Sequence, residues 1–100
     1  MIKHIVMWKL KDFAESADKK ANAVKVKRLL EGLKQKIKEI RSIEVGINLK
    51  ASPAAYDIVL YSEFDNIQDL NAYQNHPEHL KVGDFISKVR LDRRVVDYEV

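Results

Sequence analysis

Cysteine is absent from the 100-residue chain, which removes disulfides, thiolate nucleophiles and cysteine-based zinc sites in one step. Glycine and proline are scarce, three and two residues, so collagen-like repeats and low-complexity tails are excluded. No apolar run nears the roughly 18 residues that a membrane-spanning helix needs. The first ten residues are interrupted by Lys3, His4 and Lys9 and lack a small-residue cleavage site. They read as part of the fold, not as a signal peptide. A cytoplasmic address is the resulting expectation. What is present is ordinary for a globular protein, 46% hydrophobic and 33% charged residues, too apolar for disorder. At roughly 150 residues per domain, one domain over residues 1–100 is expected. A chain of this size buries about 65% of its unfolded surface. That supports one core but not a deep private cleft as well, a limit that pairing with a second copy relieves.

The net charge of +3 is unevenly placed. Residues 19–41 hold nine Lys or Arg against Glu31 and Glu39, an excess of +7 that leaves −4 elsewhere. A basic helix can mark a nucleic-acid or membrane footprint. Here no aromatic residue interleaves with the cations, so the segment reads as a solvated helix face with neither partner.

Residues 2–10 alternate, with His4, Val6, Trp8 and Leu10 on one face and Lys3, Ile5, Met7 and Lys9 on the other, as a strand requires. Both faces carry large apolar groups, which places this strand inside a sheet. Residues 12–16 read as a loop, with Ser16 or Asp18 available to cap a helix. That helix is predicted from Asp18 to Ile40, on a stripe of Val26, Leu30, Leu33, Ile37 and Ile40 joined by Leu29, the spacing of one buried helical face. A strand over 43–50 follows, in which Gly46 marks a bulge or close approach. Pro53 lies in a turn, and Tyr56 to Phe64 alternates again. Asp65 or Asn66 caps a short helix ending at Asn75. Pro77 stops it, disfavouring the α region for His76, and suits the first position of a new helix. There His79, Val82, Ile86 and Val89 share a stripe. Residues 93–99 close the chain as a strand.

The order β-α-β-β-α-β is that of a ferredoxin-like α+β subunit, a four-stranded antiparallel sheet with helices on one face. The other face, assigned Ile5 and Met7 with Ile58 and Leu60, is then bare and apolar, the mark of an interaction site. A symmetric homodimer through that face is expected.

Chemistry concentrates where the two later helices meet, at Tyr73, His76, Pro77 and His79. As metal ligands, His76 and His79 need a third donor such as Asp84 or Glu78, and Pro77 breaks the helix between them. No metal and no cofactor are expected. As an acid–base set, His79 exchanges a proton near neutrality, Tyr73 converges on the same space, and Asp97 orients the imidazole. The alternative is structural, a core histidine that bonds Asp97 and pins helix to sheet. His4, Val6 and Trp8, with Val59 and Val82, are the candidate lining of a small-ligand pocket.

These residues resemble the stress-responsive dimeric α/β-barrel (Dabb) family over essentially the whole chain. The resemblance is carried by His4-Ile5-Val6, by Tyr56-Asp57-Ile58-Val59-Leu60 running to Phe64, by Tyr73-x-x-His76-Pro77-x-His79, and by Val96-Asp97-Tyr98. It implies a ferredoxin-like subunit and two sheets packed into one barrel. Many members are small bacterial proteins without assigned activity. A plant branch that cyclises linear polyketides is similar in the Tyr-x-x-His-Pro-x-His segment. That likeness implies proton transfer by Tyr73 and His79 with Asp97 behind the histidine. The sequence departs from that branch at Lys25, Lys27 and Arg28, where an acyl tunnel wants apolar bulk.

Three functions therefore compete. One is a stress-response-type dimer holding a small apolar or carbonyl ligand. The second is a cofactor-independent cyclase or isomerase, polyketide-cyclase-like, in which His79 takes a proton beside a carbonyl and Tyr73 supports the enolate oxygen. The third, by shape alone, is a barrel monooxygenase.

Overall fold

The computed structural model describes residues 1–100. Alternation produces strand β1 (Ile2–Leu10), in which Ile2, His4, Val6, Trp8 and Leu10 are buried and Met7 is exposed. The stretch predicted only as a loop contains a miniature hairpin, β2 (Phe13–Ala14) and β3 (Ala17–Asp18). Glu15 and Ser16 close it at φ of 50° and 62°. Gly or Asn normally takes such positions, so the turn carried no recognisable signal.

Helix α1 (Lys19–Gly32) is capped by Asp18, which accepts the Ala21 amide. It ends at Gly32 instead of the predicted Ile40, giving way to a 3-10 turn over Leu33–Gln35. Leu33, Ile37 and Ile40 remain buried. The stripe thus identified the core correctly, but spacings of three and four also suit tighter turns.

Strand β4 (Ser42–Ile47) stops short of residue 50, and β5 (Ile58–Phe64) begins two residues after Tyr56. Gly46 lies opposite Val59, where an added Cβ would sit 3.3 Å from a Val59 methyl. The close approach expected there is present. Asn66 caps α2 (Ile67–Asn75), and α3 (Pro77–Val89) follows after the break at His76. Strand β6 (Arg90–Glu99) starts directly from that helix, three residues earlier than expected.

The sheet order is β4-β5-β1-β6, antiparallel throughout, with β5 inserted between the strands that α1 connects. This is the ferredoxin-like α+β arrangement. One core of 19 apolar residues lies between the helices and the sheet. No helix is long and apolar enough to cross a membrane.

The uncovered face differs in membership from the sequence reading. Ile58 and Leu60 pair with Trp8 and Val6 and are buried under the helices. Val59 and Tyr61 take the open side, opposite Met7 and Ile5. Because side-chain direction has a period of two, one wrong parity moves every residue of a strand to the other face. Met7, Val59, Val96 and Tyr98 are all exposed there.

Candidate ligand site between the helices and the sheet

Pro77 sets the geometry. His76 before it is extended at φ −66° and ψ 137°, as the residue preceding a proline prefers. Its Nδ1 accepts the Glu78 amide at 3.1 Å, so His76 is the cap of α3. That use of its lone pair removes it as a ligand, and no three His, Asp or Glu side chains gather as a metal-binding group. His79 sits in the first turn of α3, and Tyr73 in the last turn of α2. Their rings meet edge to face with centroids 4.5 Å apart. Tyr73 also touches Phe64 at 5.0 Å and His4 at 6.1 Å.

These rings border a cavity of about 160 Å³, lined by His4, Val6, Trp8, Tyr73, His79 and Val82 among others. Five of the expected lining and site residues are thus brought together with Tyr73, and Val59 is not. Val59 faces the open side of the sheet, where it borders a separate groove with Met7 and Ile47. The Tyr73 hydroxyl and His79 Nδ1 are buried and have no hydrogen-bond partner. Left unpaired, each such group costs about 1–3 kcal/mol, so an occupant that pairs with them is favoured. Burial pushes the Tyr73 hydroxyl well above the ordinary tyrosine range, opposed by the Arg93 charge. Burial likewise lowers His79 below the ordinary histidine value, opposed by the Gln74 carbonyl and reinforced by His4, Arg93 and His76. At neutral pH the phenol is protonated and the His79 ring is neutral. One can donate and the other accept.

Asp97 does not reach His79. It pairs with Nδ1 of His4 at 2.5 Å, because the antiparallel register sets His4 directly opposite Asp97. Cross-strand neighbours approach more closely than a strand residue and a helix residue layered above it. The His–Asp pair expected from the sequence therefore exists with a different histidine. His4 is 2% exposed, and its Nδ1–H is held by the carboxylate, which fixes the orientation of the ring.

Sequence reasoning missed Arg90 and Arg93, which complete the lining on the β6 side. The signal was available. Arg93 pairs with Trp8 and shares the inner parity of Val95 and Asp97. Two lysines of α1 are engaged elsewhere: Lys27 bonds Glu31 and the Val45 carbonyl, and Lys25 lies 4.3 Å above the Phe85 ring.

The family model for the stress responsive A/B barrel domain, Dabb, matches residues 2–100. The chain belongs to the Dabb family. A dimeric ferredoxin-like protein of unknown function from Bacteroides fragilis is 41% identical to this Dabb chain, with a TM-score of 0.86 over 99% of this chain and 95% of that one. A dimeric ferredoxin-like protein of unknown function from Thermobifida fusca is 24% identical, with a TM-score of 0.81 over 99% and 90%. The hydroxynitrile lyase of Passiflora edulis is 16% identical, with a TM-score of 0.82 over 99% and 92%, and shares the fold. No curated protein matches this Dabb chain.

Proposed function

We propose that residues 1–100 act as one Dabb domain that pairs into a homodimer through the open sheet face, each subunit holding a small carbonyl compound between helices and sheet. In that pocket the protein moves a proton on the ligand without a cofactor. The observation that carries this reading is the pair of unpartnered buried atoms, the Tyr73 hydroxyl and His79 Nδ1, on residues that line one cavity. A bound carbonyl oxygen satisfies the phenol. The neutral imidazole then takes a proton from the adjacent carbon, its C–H electron pair moving into the enolate, and later returns it. The donor is strongest when negative charge reaches that oxygen. His4, held in place by Asp97, stands on the sheet side of the same cavity.

Size narrows the ligand. A cavity near 150 Å³ accommodates a benzene-sized molecule, which favours a compact substrate over a linear polyketide. The homodimer rests on Met7, Val59, Val96 and Tyr98 exposed together and on the dimeric description of the Bacteroides fragilis relative. A cytoplasmic setting belongs to the same proposal and rests on the absent cysteines.

Cyclohexanone, of matching size, tests the chemistry. In heavy water the protein should accelerate exchange of its α-hydrogens, followed by proton NMR. His79→Ala should abolish the acceleration while the circular dichroism spectrum stays native. Equal rates with wild type, with His79→Ala and without protein would end the proton-transfer reading.

A further inference from the structure

The polar lining of the cavity is positively charged. Arg90 and Arg93 both border it, and none of the 13 lining residues is Asp or Glu. The acid nearest in register, Asp97, is turned to His4. The adjacent Arg94, on the other face of β6, has an acidic partner in Asp92, whereas Arg90 and Arg93 have none. The Arg93 charge also reaches both orphaned groups, favouring ionisation of the Tyr73 hydroxyl less than burial opposes it and helping keep the His79 ring neutral.

A guanidinium beside a cavity usually answers to something, because its planar fork of donors fits a carboxylate bidentately. Surface arginines are commonly left to solvent. These two differ in bordering one cavity with a buried hydroxyl and a buried ring nitrogen that also lack partners. From this juxtaposition of Arg90 and Arg93 with the unpartnered Tyr73 and His79, the geometry points to a small carboxylate as the ligand class. The arginines hold the anionic group on the β6 side and the apolar body lies against Val6, Trp8 and Val82. This rests on the pocket reading above and adds the charge of the occupant to it. The Arg93 carboxylate contact is a binding contact and needs no step of chemistry.

The test uses benzoate and benzamide, which match in shape and differ in charge. Each is titrated into the 15N-labelled protein, and amide shifts around Tyr73, His79 and β6 report binding. Charge-assisted hydrogen bonds predict that benzoate binds about tenfold more tightly than benzamide or better. Added salt should weaken benzoate only, since screening acts on charge. Arg93→Gln, at an exposed position, should bring benzoate down to the benzamide level and leave benzamide unchanged. Arg90→Gln should do the same in part. If benzamide binds as tightly as benzoate, or Arg93→Gln leaves the preference intact, the carboxylate assignment is overturned while the pocket stands. If neither probe perturbs these amides at millimolar concentration, the pocket reading fails and takes this inference with it.

Discussion

Tyr73 shows the tension between stability and use at the level of a single side chain. Its ring is fully buried against Phe64, His4 and His79, while its hydroxyl contributes an unmet donor. Tyr73→Phe should therefore leave the melting temperature unchanged or raise stability by about 1 kcal/mol. The same variant should slow α-hydrogen exchange in cyclohexanone, because the oxygen loses its donor. Loss of stability in Tyr73→Phe would mean that the hydroxyl already has a partner. His79 makes a pH-dependent claim. Its ordinary value is near 6.5 and burial holds the folded ring below that. Between the two values the unfolded chain binds the extra proton, so stability declines as pH falls through 6.5. The decline from this residue ends once the folded ring also protonates. Melting temperatures from about pH 7.5 to about pH 5.5 should fall more steeply for wild type than for His79→Gln. Equal slopes would assign the pH dependence to other groups.

Elements are positioned here by polar staples as much as by apolar stripes. Asn22, 2% exposed on α1, donates to the Ala14 carbonyl at 3.0 Å and ties the β2–β3 hairpin to the helix. Glu31 accepts the Val45 amide and Lys27 donates to the Val45 carbonyl, so one residue of edge strand β4 is fully paired by α1. Hydrogen bonding to Lys27 holds the Glu31 carboxyl below the usual range. The break between α2 and α3 depends on His76 as a cap, and caps contribute about 1 kcal/mol. His76→Ala should lower stability by about that amount in urea unfolding, and His76→Asp should restore it. Neither should alter ligand binding. A binding defect shared by both variants would instead make His76 part of the site. The cap, the proline and the inward stripe of α3 were readable from residues 73–89, since each acts within one helical turn. The early end of α1 was not, because the apolar spacing continues past Gly32.

At the scale of the molecule, the two sheet faces have different fates and so respond differently to the same substitution. Leu60 is 2% exposed beneath the helices and Val59 is 38% exposed on the open side. Leu60→Glu places a charge in the core and should unfold the protein, while Val59→Glu should leave a folded subunit that no longer pairs. Sedimentation and circular dichroism together separate the outcomes. A native monomer for the unmodified chain at micromolar concentration would remove the dimer.

The sequence by itself determined the order of elements, the ferredoxin-like class, the buried stripes of α1 and α3, and the convergence of Tyr73 and His79. All of these follow from local periodicity and from Pro77, which act over a few residues. The tertiary structure alone decided which histidine receives Asp97, which parity of β5 lies under the helices, and that Arg90 and Arg93 join the cavity wall. Those depend on strand register, a relation between segments more than 90 residues apart in the case of His4 and Asp97. A shift of one residue there reverses every side chain, and no local pattern in this chain fixes it.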